Sequence, residues 1–162
     1  MTKELFLAAL DPSSRIINLV NDRGFTVVSE CDYNHLSRTR WYYAARYAFE
    51  SRNHSGKQLA HFVIDVPEGF EPDHINHEKL DNRRCNLRTA TKQQQNGHLL
   101  KMVKKPTTSR FKGVYYNWNW GKWIAVIQGK YLGGFDNEDD AAQAYNDAAQ
   151  IAWGKFAVLN QI

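Results

Sequence analysis

The sequence predicts an α+β fold: a β-rich N-terminal block, a short polar centre, and a C-terminal three-stranded antiparallel sheet packed on one helix. Three observations carry this expectation. In the first block, the β-like runs Ile16-Ile17-Asn18-Leu19-Val20 and Phe25-Thr26-Val27-Val28 flank the turn signal Asn21-Asp22-Arg23-Gly24. In the centre, Thr91-Lys92-Gln93-Gln94 is a capping box, in which Thr91 and Gln94 satisfy each other's orphan backbone N–H groups. From Phe111 onward, strand-like runs precede a segment with alanines at helical spacing.

The elements follow in order. Residues 1–58 form a β-rich N-terminal extension whose Trp41, Tyr42, Tyr43, Tyr47 and Phe49 read as core. Asp32 is expected to cap a short helix through Leu36, because its carboxylate can accept from first-turn N–H groups. Residues 59–100 form a second block: Leu59 to Ile64 as a strand, a loop with Pro67, Gly69 and Pro72, short strands near 73–76 and from Asn86, and a helix over Lys92 to Lys101. Gln95, Asn96 and Gly97 weaken that helix, so something other than propensity must hold it. Residues 101–110 are basic and broken by Pro106, and read as a linker.

The third block, 111–162, carries strands over 111–117, 122–128 and 130–135, with turns at Asn119-Trp120-Gly121 and Gly129. Asp136 or Asn137 caps a helix whose first turn (Glu138, Asp139, Asp140) complements the helix dipole. Ala141, Ala144, Tyr145, Ala148, Ala149 and Ala152 are expected on one face, and Gly154 as the stop.

Composition narrows the function classes. With 43% hydrophobic residues a packed core is feasible, and wholesale disorder is excluded. No stretch approaches the roughly 18 apolar residues of a membrane span. The segment Met1 to Phe6 lacks the apolar core of a signal peptide, and Cys31 and Cys85 are too few for an all-cysteine zinc site. The expected location is cytoplasmic, or the host nucleoid if the chain is phage-encoded. The net charge of +4 is modest, but its distribution is not. From Asp73 to Lys112 ten Lys and Arg face only Asp73, Glu78 and Asp81, which suits a polyanionic partner.

The most informative feature is the ordered set Asp73-His74, Asn86 and Asn96. Two short strands and a helix would bring a carboxylate and an amide oxygen together as a hard-oxygen pocket for a divalent cation. A neighbouring imidazole can deprotonate water, since its ordinary pKa is near neutrality. Arg83, Arg84 and Arg88 lie between these elements and could hold phosphates.

Asp73-His74-Ile75-Asn76, Leu80-Asp81-Asn82-Arg83-Arg84-Cys85-Asn86-Leu87-Arg88 and Thr91 with Asn96 together resemble the ββα-metal motif of HNH nucleases, most of all the phage and intron-associated homing endonucleases. The resemblance covers about forty residues. It implies that Asp73 and Asn96 ligate Mg2+ or Mn2+, that His74 is the general base, and that Asn86 braces the loop and orients the histidine. His98 is the alternative to Asn96; two positions along a helix differ by about 200°, so both cannot face Asp73.

The segments Phe111-Lys112-Gly113-Val114, Trp120-Gly121-Lys122-Trp123, Tyr131-Leu132-Gly133-Gly134-Phe135 and Gly154-Lys155-Phe156-Ala157 resemble the APETALA-type (ethylene-response-factor) DNA-binding domain. That resemblance implies that the sheet enters the major groove, with Lys112, Tyr115, Asn117, Trp120, Gln128 and Tyr131 facing DNA and Trp123, Ala125 and Ile127 facing the helix. Several arginines of the plant relatives are Tyr, Asn or Gln here, so the target differs.

The expected function is a metal-dependent, site-targeted endonuclease on double-stranded DNA that nicks as a monomer. No membrane and no obligate protein partner is expected. The alternative is a catalytically silent, sequence-specific DNA-binding regulator. An RNA-binding protein fits less well, because no aromatic-rich single-strand motif is present.

Overall fold

A computed structural model describes residues 11–50, 56–101 and 107–162. His54 and the centre of the expected linker lie outside the described residues. The chain divides into two compact units, one ending at Ala90 and the other beginning at Thr91. The fold is mixed α+β, built from several small sheets and three α-helices among the described residues.

In the first unit, β1 (Ser14–Asn18) and β2 (Phe25–Ser29) form an antiparallel hairpin, followed by α1 (Glu30–Leu36). Strands β3 (Tyr42–Ala44) and β4 (Tyr47–Phe49) pair across a tight turn. There Ala45 and Arg46 both adopt positive φ (46° and 77°), as the twist-matched hairpin turn requires. Strand β5 (Glu71–His74) pairs antiparallel with β7 (Leu87–Ala90). The short β6 (Asp81–Asn82) joins the first sheet parallel to β2, with Val27 opposite Asp81 and Val28 opposite Asn82.

One core serves this whole unit. Ile17, Leu19, Val28, Leu36, Trp41 and Ala48 pack with Leu59, Ala60, Val63 and Leu87. The N-terminal residues thus share their apolar burial with the central block, where the sequence suggested a boundary near residue 58. Two local expectations are corrected. Leu59–Phe62 is a 3-10 turn and not part of a strand; its buried Leu59 and Ala60, with Val63 just after it, follow helical spacing, which a short apolar run does not reveal by itself. Ser29, not Asp32, occupies the N-cap position of α1, without a side-chain cap bond. Asp32 lies in the first turn, buried, and its carboxylate accepts from the Arg84 guanidinium at 2.8 and 2.7 Å.

The second unit begins with α2 (Lys92–His98). Its capping box is formed: Thr91 Oγ1 accepts from Gln94 N, and Gln94 Oε1 accepts from Thr91 N at 2.8 Å. The helix ends three residues short of Lys101. Strands β8 (Val114–Asn117), β9 (Lys122–Ile127) and β10 (Lys130–Phe135) form an antiparallel sheet in the order β10-β9-β8. Helix α3 (Glu138–Trp153), capped by Asn137, packs on it over Phe111, Val114, Ala125, Ala141 and Ala142, with Trp123, Leu132 and Phe135 alongside.

The buried stripe of α3 is Ala141, Ala142, Tyr145, Asn146, Ala149 and Trp153, whereas Ala152 is exposed. Of the expected face, Ala141, Tyr145 and Ala149 are buried, while Ala142, Asn146 and Trp153 take the places expected for Ala144, Ala148 and Ala152. Asn146 turns inward because its carboxamide exchanges hydrogen bonds with the backbone of Asn160 (2.7 and 3.0 Å) and pins the C-terminal residues. Trp153 closes the stripe against α2, where a Cβ on Gly97 would lie 2.4 Å from the indole Cγ.

Candidate active site

Strand β5 positions Asp73 and His74, and its antiparallel partner β7 sets Arg88 opposite Asp73 and Leu87 opposite His74. Asp73 is buried, and its Oδ2 accepts from Arg88 Nε at 2.9 Å. His74 is almost fully enclosed, at 1% exposure. The Tyr47 ring lies 6.1 Å from the imidazole, and Lys79 Nζ lies 5.7 Å above that tyrosine.

The two imidazole nitrogens have different surroundings. Nε2 lies 3.1 Å from Asn82 Oδ1. Nδ1 is buried and has no hydrogen-bond partner among the described residues. Burial pushes the His74 pKa below its ordinary value, with the Asn82 hydrogen bond acting against that and nearby Lys79 adding to it. The ring is therefore neutral at neutral pH, which leaves one nitrogen lone pair free to take a proton.

Between β5 and β7 the chain makes a loop that side chains cross-brace. Asn86 Oδ1 accepts from Asn76 N at 3.0 Å, and Asn86 Nδ2 donates to the Asp81 carbonyl at 2.7 Å. Asn76 Nδ2 donates to Asp81 Oδ2 at 2.9 Å. The Arg83 guanidinium takes both Asp81 oxygens at 2.7 Å. Burial would raise the Asp81 pKa, but the Arg83 bonds outweigh it and hold the carboxyl below its ordinary value. Asn86 thus bonds to the loop, while the residue bonded to His74 is Asn82. Neither Asn82 nor its partner Thr26 figures among the sequence candidates. Asn82 sat inside the quoted Leu80 to Arg84 run; nothing in the sequence marks Thr26, whose contact lies 56 residues away.

Other candidates are placed as follows. The three arginines read as phosphate contacts are each paired with a carboxylate: Arg83 with Asp81, Arg84 with Asp32, and Arg88 with Asp73. Arg84 keeps the most exposure and Arg88 the least. Asn96 is exposed on α2 in the second unit, and His98 is buried there. Within that unit Tyr115, Trp120, Gln128 and Tyr131 are exposed, as is Trp118 at 79%. Lys112 differs. Its half-buried ammonium donates to the Gly97 and Leu99 carbonyls at 2.9 and 2.6 Å and so caps the end of α2. Asn117 Oδ1 accepts from the N–H groups of Asn119 and Trp120, which commits it to the turn. A cleft in the first unit is lined by Gly24, Phe25, Val27, Asn76, Glu78, Leu80, Asp81 and Arg83, and by neither Asp73 nor His74.

Comparison with known proteins follows the same residues. A family model described as HNH endonuclease matches residues 61–97, which include Asp73, His74, Asn82, Asn86 and Asn96. An uncharacterized HNH endonuclease of Acanthamoeba polyphaga mimivirus is 31% identical over 147 residues, covering 85% of this chain and 75% of that protein. The chain belongs to the HNH endonuclease family. It is accordingly a DNA-cleaving hydrolase. No solved structure matches it. The HNH match ends at residue 97, so the three-stranded sheet and α3 lie beyond it. Among the described residues no helix of this HNH protein is long and apolar enough to cross a membrane.

Proposed function

We propose that this protein is a metal-dependent, site-targeted DNA endonuclease in which His74 is the general base and the second unit reads the DNA. The observation that carries the reading is the asymmetry of the His74 ring: Nε2 is held by Asn82, and Nδ1 keeps a buried lone pair with no partner among the described residues. An imidazole held in that state can accept a proton from water as the water attacks phosphorus. The proton moves to Nδ1, the new P–O bond forms, and the P–O bond to the leaving 3′ oxygen breaks.

HNH nucleases generally depend on a divalent metal. The donor chemistry here fits a hard cation: the Asp73 carboxylate in the first unit and, by its place in the motif, the Asn96 amide oxygen suit Mg2+ or Mn2+. When bound, such an ion supplies charge stabilisation for the phosphate oxygens. Arg88 Nε donates to the Asp73 carboxylate and orients it. The exposed Tyr115, Trp118, Trp120, Gln128 and Tyr131 are the residues proposed to meet DNA in the second unit. Lys112 and Asn117 are left out, because the Lys112 ammonium donates to the Gly97 and Leu99 carbonyls and Asn117 Oδ1 accepts from the Asn119 and Trp120 N–H groups.

A plasmid-nicking assay with magnesium tests this. Wild-type protein should nick supercoiled DNA, chelator should abolish the activity, and His74→Ala should lower the rate roughly 10²–10⁴-fold with little change in DNA affinity. A near wild-type rate in His74→Ala would remove the histidine from the mechanism. Binding without cutting under every metal condition would favour the silent regulator.

A further inference from the structure

The orientation of His74 is set from outside the segment that carries the HNH motif. The chain of contacts begins at an atom of unambiguous character, the Leu80 carbonyl oxygen, which can only accept. Thr26 Oγ1 lies 2.8 Å from it, so the threonine hydroxyl proton points there. Val27 N donates to the same oxygen at 2.8 Å, as the parallel pairing of β2 with β6 requires. With its proton so directed, Thr26 Oγ1 presents only lone pairs to its other neighbour, the Asn82 carboxamide at 2.8 Å. The group facing Thr26 is then Asn82 Nδ2, and Oδ1 faces His74 Nε2. An amide oxygen cannot donate, so Nε2 must carry the ring proton of neutral His74 and Nδ1 must not. Thr26 and Asn82 are both 2% exposed or less, so water is not on hand to replace the hydroxyl at the carboxamide.

We infer that Thr26, acting through Asn82, is a positioning residue that locks His74 in the Nε2–H tautomer and thereby leaves Nδ1 as the proton acceptor. The catalytic half of this inference rests on His74 being the base; the tautomer itself does not. Thr26 belongs to β2, outside the matched residues 61–97, so the N-terminal strand completes the motif chemically as well as structurally. Without the hydroxyl, the Asn82 carboxamide loses the contact that distinguishes its two ends. It can then turn its Nδ2 toward His74, and the ring proton moves to Nδ1, where it blocks the attacking water.

The test is the ring-nitrogen NMR spectrum of His74 in the full chain labelled with 15N-histidine, assigned by its loss in His74→Ala and recorded where the ring is neutral. The wild-type spectrum should report the Nε2–H tautomer; an Nδ1–H tautomer there overturns the inference without any variant being needed. Thr26→Val should shift His74 toward the Nδ1–H form and lower kcat for nicking by about ten- to a hundred-fold with KM little changed, the usual range for an outer-shell group. Thr26→Ser should restore both. A folded Thr26→Val protein that keeps the Nε2–H tautomer and the wild-type kcat overturns the inference. Activity retained in His74→Ala tells against the base reading alone, whereas the spectrum tests the relay alone.

Discussion

Arg84 shows how a single residue divides two readings of the same charge. By sequence it is one of a basic group beside the motif, and a phosphate contact is the natural expectation. In the fold its guanidinium takes both oxygens of Asp32, whose side chain is 2% exposed while that of Arg84 is 54% exposed. Removing the arginine strands a buried carboxylate, which for a fully buried pair costs about 3–5 kcal/mol. Half-exposure of Arg84 screens the pair, so about 1–3 kcal/mol is expected for Arg84→Ala, read as a lower urea midpoint. A phosphate contact behaves differently. Losing one would change the slope of log K against log salt by about 0.9, whereas Arg84→Ala should leave that slope unchanged. Arg83 belongs to the same class, since it is bound to Asp81 at both ends of its fork. The charge run near the site holds the loop together before it meets any polyanion.

At the scale of an element, α2 answers a question that propensity leaves open. Two poor helix formers, Asn96 and Gly97, sit in a helix of seven residues, which alone would be marginal in water. The capping box fixes one end, and Lys112 bonds the carbonyls of the other. Gly97 lets α3 approach, because Trp153 occupies the place of the missing side chain. Two effects therefore oppose each other in Gly97→Ala. Helix propensity favours alanine by about 1 kcal/mol. A Cβ 2.4 to 2.9 Å from three Trp153 atoms forces a rigid indole to move, and overpacking of that kind costs typically 1–3 kcal/mol. Displacing Trp153 also disturbs the closing contact of the α3 stripe, so the steric term wins. Gly97→Ala should lower the thermal midpoint, despite what a helix scale alone gives. A higher midpoint would mean that the indole has room to swing aside.

For the whole molecule, the partition at Ala90 and Thr91 changes what a truncation does. A protein ending near Pro106 keeps Asp73, His74, Asn86 and Asn96, and by sequence alone it should retain weak, salt-sensitive nicking with little site preference. It also loses Trp153 and Lys112, the residues that hold α2. We therefore expect the truncated protein to lose the circular-dichroism signal of α2 and most of its nicking, not merely its selectivity. Full-strength nicking by the truncated protein would show that α2 stands without the rest of the second unit. Targeting is better separated from chemistry in the full chain, by Trp118→Ala, Trp120→Ala and Tyr131→Ala, whose side chains are 79%, 63% and 56% exposed. Each should flatten the cut-site map, by about 1–3 kcal/mol of discrimination per lost base contact, while leaving the basal nicking rate intact. Removal of residues 1–58 should abolish folding of the first unit, since Ile17, Leu19, Val28, Leu36, Trp41 and Ala48 form one core with Leu59, Ala60, Val63 and Leu87.

What the sequence determined by itself was whatever depends on neighbours along the chain. The capping box at Thr91 and Gln94, the cap at Asn137, the three C-terminal strands and the Asp73-His74 pair are all local patterns, set by backbone geometry within a few residues. The HNH motif was legible for the same reason, as an ordered spacing of chemical types. Burial and pairing across long separations were decided by the tertiary structure alone. Thr26 meets Asn82 and Arg84 meets Asp32 only because β2 and β6 lie parallel and α1 folds back beside them. A six-residue apolar run at Leu59 could not announce whether it would be a strand or a turn of helix, because both bury it. Which nitrogen of His74 keeps its lone pair depends on a hydroxyl 48 positions earlier, and hydrogen-bond direction is a property of the folded network that no spacing records.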